Sequence, residues 1–253
     1  MKLIFVRHGE PDYAHDCLTD NGKVQAECAA KRLKKEGITA IYASPMGRAV
    51  ETASYTAREY GLEVQKLDFM HEINWGDKVQ GNNDAINVSM SSLQERTAID
   101  QNYEKLPYGG HPWTLGYKYL IDRSEGLTHD DWDEHHYFKD NVCMDYFEMI
   151  SSNIDELLGK YGLERKNDLY YCTKENNEKI ALFAHGGSGA ILFAHILNLP
   201  FPFVVTTLPY GVCSVSIFDF GSKQGKMVIP RLELFNDMGH IEQLKFEPLH
   251  FEK

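Results

Sequence analysis

The sequence predicts an α/β fold, a three-layer sandwich with a central, mostly parallel sheet, helices on both faces and a capping insertion. Three observations predict it. Short apolar runs alternate with helical patterns over the first 67 residues, as βαβ units do. A second such series resumes after about residue 141. Two of the apolar runs, far apart in the chain, each end in a histidine followed by glycine, Val6-Arg7-His8-Gly9 and Ala184-His185-Gly186-Gly187. Ligands of open α/β sheets bind at the C-terminal ends of strands.

Taken in order, Leu3 to Val6 has the composition of a buried strand. A polar loop follows to Leu18, and Thr19 is placed to cap a helix running to about Glu36, with Gly37 at its C-terminal end. Ile38 to Ala43 reads as the second strand, Gly47 to Tyr60 as a helix closed by Gly61, and Leu62 to Leu67 as the third strand. The alternation breaks between about 77 and 141, an aromatic-rich stretch expected to be an insertion packed over the sheet edge within one domain spanning 1–253. Beyond it, Cys143 to Tyr161 is predicted helical, with Phe147, Ile150, Ile154, Leu157 and Leu158 at core spacing. Lys179 to Ala184 reads as a strand, Ser188 to Leu197 as a helix, and Val212–Phe220 and Lys226–Phe235 as the closing strands.

Composition narrows the function. The 253 residues are 43% hydrophobic and carry a formal net charge of −11. That balance lacks the basic footprint of a nucleic-acid binder and disfavours an anionic membrane surface. Five widely spaced cysteines, without a C-x-x-C pair, suggest reduced thiols rather than a disulfide framework or a zinc knuckle. The first apolar run is too short for a secretory leader, and no run approaches the roughly 20 apolar residues of a membrane span. A cytoplasmic location is expected, with the oligomeric state left open and a homodimer admitted.

If the strands ending at Arg7, Ala43 and Ala184 are parallel, His8, His185, Arg7 and Arg48 converge on one spot. Arg48 falls in the first turn of its helix, where free N–H groups and the dipole add to the guanidinium. Arginine presents paired donors that match phosphate oxygens, and a neutral imidazole is a competent nucleophile toward phosphorus. These residues lie in five segments, RHGE (7–10), LTDNGKVQA (18–26), SPMGRAVET (44–52), EINWGD (72–77) and AHGG (184–187). In order and spacing they resemble the histidine phosphatase superfamily, the phosphoglycerate-mutase-like group.

The resemblance implies that His8 is the nucleophile that becomes phosphorylated and that Arg7, Arg48 and His185 neutralise the phosphoryl group. Glu72 matches the acid that protonates the leaving alcohol and then helps activate water, for which it must carry its proton near neutral pH. The family needs neither cofactor nor metal. The expected ligand is a small phosphorylated molecule, bound also by Gly186 and Gly187, whose turn frees backbone N–H groups. One departure stands out. The family's asparagine six positions after the nucleophile, which contacts the phosphoryl group, is replaced by Ala14, so one phosphate contact is missing or is made by Asp12, Tyr13 or His15, with Tyr13 taken as substrate-binding. Residues 78–110 lack the mutases' sugar-phosphate clamp, which favours phosphomonoester hydrolysis over a phosphoglycerate mutase, and the complete set Arg7, His8, Arg48, Glu72 and His185 argues against a non-catalytic phospho-ligand binder.

Two other features are weaker. In HDDWDEHH (129–136), Asp131 and His135 stand one helical turn apart, but a solvated acidic face is the expected reading, with a role in excluding highly anionic substrates as the functional alternative. Tyr210 is a candidate for the pocket mouth or for a packed turn.

Overall fold

A computed structural model describes residues 1–74, 127–135, 138–139, 141–208, 210–221 and 223–241. Most of the expected insertion at about 77–141 lies outside these residues. The main sheet has six strands: β1 (Lys2–Arg7), β4 (Ala40–Ala43), β5 (Val64–Lys66), β8 (Lys179–Ala184), β9 (Val215–Asp219) and β11 (Arg231–Asp237). Their spatial order is β11-β9-β1-β8-β4-β5. β1, β8, β4 and β5 run parallel, and β9 is antiparallel to both β1 and β11. Small ladders complete the set: β2 (Pro11–Asp12) with β3 (Cys17–Leu18), and β6 (Leu163–Lys166), β7 (Leu169–Cys172) and β10 (Met227–Val228).

The apolar runs of β1 and β8 are continuous because both faces of these central strands are covered. Leu3 and Phe5 point into one core with Ile180 and Leu182, while Ile4 and Val6 point into the other with Ala181 and Phe183. The second core is closed by α1 (Asp20–Leu33) and α2 (Gly47–Tyr60), through Leu33, Ala53 and Ala57. The first is closed by α3 (Cys143–Lys160), α4 (Gly186–Leu197) and α5 (Phe201–Thr207). Phe193 of α4 stands at its centre, with ring centroids 5.4 Å from Phe5, 4.8 Å from Phe218 and 5.2 Å from Tyr210. Phe193→Ala is expected to cost about 3–5 kcal/mol, read as a lower urea midpoint at unchanged m-value. A loss under about 1 kcal/mol would contradict this packing.

Local signals set the boundaries. Thr19 caps α1 by accepting the Gly22 N–H at 3.0 Å, and Gly61 closes α2 in the left-handed region at φ 64°. Two expectations are corrected. The single strand expected over Lys226–Phe235 is split: Met227–Val228 pairs with β7, whereas Arg231–Asp237 pairs with β9. Pro230, without an N–H, stands between them. The helix expected from Ser188 begins at Gly186, directly after His185. The β6–β7 hairpin, turning through Asn167 at φ 53°, and α5, with Pro202 in its first turn, were not anticipated. Among the described residues no helix is long and apolar enough to cross a membrane.

Candidate active site

Register assembles the site. β1 and β8 pair Arg7 with Ala184, so the next residue of each strand is a histidine, and the His8 N–H still donates to the Ala184 carbonyl at 2.9 Å. The two imidazoles face each other at 5.0 Å between ring centroids, both fully or almost fully buried. β4 ends one step away, and Ser44 Oγ stands 2.7 Å from His185 Nε2. His8 Nδ1 lies 2.7 Å from the Gly9 carbonyl. A carbonyl only accepts, so Nδ1 carries the proton and Nε2 keeps its lone pair.

Gly9 has a packing reason to be glycine. A Cβ there would stand 2.7 Å from the Gly22 carbonyl and 3.3 Å from Cys213 Sγ, so the missing side chain admits the start of α1. The Gly9 N–H donates to Thr52 Oγ1 at 3.0 Å, and the Thr52 hydroxyl donates to the Arg48 carbonyl at 2.7 Å. The His8-Gly9 turn is thereby bolted to the helix that carries Arg48.

Arg7 donates from Nη1 to the Tyr210 carbonyl at 2.8 Å, and its guanidinium carbon stands 3.6 Å from where a Cβ on Gly186 would be. Tyr210 is therefore an interior prop: its buried hydroxyl donates to the Gly186 carbonyl. Arg48 is buried in the first turn of α2, donates from Nη1 to Asp16 Oδ1 at 2.6 Å, and lies over the Tyr13 ring at 5.4 Å. Tyr13 itself is 70% exposed, which places it at the rim. Asp12 and His15, the other candidates to replace the asparagine, are paired with each other at 2.7 Å on the surface.

Glu72 reaches the first turn of α4. Oε1 accepts the N–H groups of Ile73 at 2.9 Å and Ser188 at 3.1 Å, and Oε2 accepts that of Gly187 at 3.3 Å. A carboxyl group at a helix N-terminus is held by free N–H groups and the dipole. Gly187 spends its N–H on Glu72 here, so its part in the site is to make room: a Cβ would stand 2.6 Å from Glu72 Oε1. Met46 Sδ accepts both from Arg48 Nη2 at 3.4 Å and from the Glu72 N–H at 3.5 Å, linking the two. His71 stacks edge-on against Tyr146 of α3 at 5.2 Å, adding two further side chains next to Glu72.

Burial holds both site histidines neutral. The pKa of His8 lies well below 6.5, first through loss of hydration and then through Arg7. That of His185 is lowered in the same way, by burial and then by His8, Arg48 and Arg7. The unfolded chain accepts these protons near 6.5 and the folded chain refuses them, so stability rises with pH across that window. The melting temperature is expected to fall as pH drops from about 7 to about 5. A His8→Asn variant should show a shallower fall, and an identical slope would contradict the assignment.

HDDWDEHH forms no helix at its centre; Trp132–Glu134 is a 3-10 turn. Asp131 accepts from the Thr128 N–H and hydroxyl at 2.6 and 2.8 Å, and His129 lies 3.5 Å from Asp168. Among the described residues no group of three or more His, Cys, Asp and Glu side chains is placed to hold a metal ion.

Residues 3–113, which carry His8, Arg48 and Glu72, match the model of the histidine phosphatase superfamily (branch 1). Over those residues, fewer than half of the chain, the sequence is similar to that superfamily. Among curated members of related sequence, phosphoserine phosphatase 1 of Hydrogenobacter thermophilus is 36% identical over 85 residues, and a probable phosphoglycerate mutase GpmB of Serratia proteamaculans is 33% identical over 85 residues. Each match covers 30% of this chain, which spans 40% of the length of either relative. The histidine phosphatase fold extends over nearly the whole chain. A mycobacterial glucosyl-3-phosphoglycerate phosphatase solved with inorganic phosphate aligns with a TM-score of 0.60 at 20% identity, covering 94% of this chain and 98% of that one. An Entamoeba histolytica phosphoserine phosphatase solved with 3-phosphoglyceric acid aligns with a TM-score of 0.58 at 21% identity, covering 95% and 98%.

Proposed function

We propose that this chain hydrolyses small phosphomonoesters, without a metal, through a phosphohistidine on His8. The observation that carries the reading is the commitment of His8 Nδ1–H to the Gly9 carbonyl, which leaves Nε2 as an unprotonated nucleophile between two arginines. In the first step Nε2 forms a bond to phosphorus as the P–O bond to the alcohol breaks. The leaving oxygen takes a proton from Glu72, whose Oε2 is the less engaged of its oxygens. In the second step a water attacks phosphorus and gives a proton to Glu72, the P–N bond breaks, and neutral His8 returns with phosphate released. Arg7, Arg48 and His185 surround the charge that develops on the equatorial oxygens.

The names of the relatives support phosphorylated three-carbon acids and amino acids as the first substrates to assay. The test is turnover of p-nitrophenyl phosphate in the presence of EDTA, with acid-labile phosphate trapped on the protein by rapid quench. Interconversion of 2- and 3-phosphoglycerate without release of phosphate would replace hydrolase by mutase, and phosphate binding without either reaction would leave a binder.

A further inference from the structure

The two arginines are held in the same way by different partners. Each commits Nη1 to a protein acceptor, the Tyr210 carbonyl for Arg7 and the Asp16 carboxylate for Arg48. Among the described residues, Nε of each guanidinium is buried with no partner. Among the described residues, the hydrogen-bond partner of Arg48 Nη2 is the Met46 thioether, a weak acceptor. Buried guanidinium N–H groups rarely go unpaired, because desolvating them is costly. One parallel pair of donors on Arg48, Nε and Nη2, is therefore unfilled, and it matches two oxygens of a phosphoryl group.

We propose that Asp16 is the positioning residue that divides the Arg48 fork, engaging Nη1 so that the Nε–Nη2 edge is presented to the phosphoryl group on His8. Asp16 itself is fixed from three sides. Its Oδ2 accepts the Gly47 N–H at the start of α2 at 2.6 Å. Its backbone adopts the left-handed region at φ 47°, which aspartate tolerates better than most residues. Its carbonyl approaches so closely that a Cβ on Gly47 would stand 2.1 Å away. The β2–β3 hairpin thus delivers a carboxylate to the one guanidinium atom that the phosphate does not need. Position 14 holds alanine, and Asp16 acts on Arg48 from behind, without touching the substrate.

The inference rests on the phosphatase reading of the site, and the assay separates the two. Removing Asp16 has opposed effects on phosphate affinity, since a repelling charge is lost together with the orientation of Arg48. The signature is therefore a split. Asp16→Ala should lower kcat for p-nitrophenyl phosphate about tenfold or more, while the Ki of inorganic phosphate shifts less than about threefold. Asp16→Asn keeps an oxygen for Nη1 and should retain at least about a third of kcat. In an Arg48→Ala background, adding Asp16→Ala should change kcat less than about twofold, because the residue acts only through Arg48. The proposal is overturned if Asp16→Ala leaves kcat within about twofold of the parent, if Asp16→Asn loses as much as Asp16→Ala, or if the loss is the same without Arg48. A parent protein that neither turns over p-nitrophenyl phosphate nor binds inorganic phosphate would instead refute the phosphatase reading.

Discussion

Replacing His8 with asparagine is expected to lower kcat/KM for p-nitrophenyl phosphate by on the order of 10⁴-fold or more and to abolish the acid-labile phosphoprotein. Asparagine is the informative choice. Its side-chain amide can still donate to the Gly9 carbonyl, which otherwise loses the partner it has at 2.7 Å in the buried strand end. No atom remains at the position of Nε2, so the covalent path closes while the local hydrogen bond is kept. Arg7, Arg48 and His185 would still gather the phosphate, and inorganic phosphate should bind the variant with affinity close to that of the parent. Retention of more than about 1% of the parent rate by His8→Asn would sink the nucleophile assignment.

Gly187→Ala is expected to damage turnover in a way that depends on the leaving group. The added methyl would stand 2.6 Å from Glu72 Oε1 and 3.0 Å from Ile73 Cδ1. Glu72 is tied to three backbone N–H groups and cannot yield without surrendering them. A displaced general acid costs about 10²–10⁴-fold where the leaving oxygen must be protonated. An alkyl phosphate such as phosphoserine needs that proton, whereas p-nitrophenolate leaves readily without it. The loss in kcat/KM, which reports phosphorylation of His8 and not the hydrolysis that Glu72 also assists, should therefore reach about 10²-fold or more on the alkyl ester and stay under about tenfold on the aryl one. The same clash also lowers stability, so the diagnostic is the difference between the two esters and not the size of either loss. Equal losses on both esters would remove Glu72 from the role of acid.

Much of the fold was legible because the parallel strands are buried on both faces. An uninterrupted run such as Leu3–Val6 has few other readings, and Thr19 and Gly61 mark helix ends by local chemistry that tertiary contacts did not override. The split at Pro230 was less legible. The sequence around it reads as one strand, and pairing to two different sheets divides it. The β6–β7 hairpin turns on an asparagine, a weaker sign than glycine, and α5 is too short for periodicity to declare it.

At the site, His8 and His185 were readable because each ends an apolar strand, and His8, Arg48 and Glu72 because each lies in a recognisable segment. Asp16, Ser44, Thr52 and the Tyr210 carbonyl were not. Three of the four act through one or two hydrogen bonds to residues more than 25 positions away, and the fourth is a backbone atom, for which no side-chain signal exists. Gly9 was legible as a glycine but not in its purpose, since the crowding comes from Gly22 and Cys213.

The sequence by itself determined that His8-Gly9 and His185-Gly186 would end two apolar strands, with arginines beside them suited to phosphate. Side-chain chemistry and strand periodicity are local properties, fully present in the letters. The tertiary structure alone decided that the strands lie side by side in the register Arg7 to Ala184, that His8 carries its proton on Nδ1, and that Asp16 takes one arm of Arg48. Register, tautomer and hydrogen-bond partner depend on atoms that only folding brings within 3 Å, and no pattern along the chain encodes that distance.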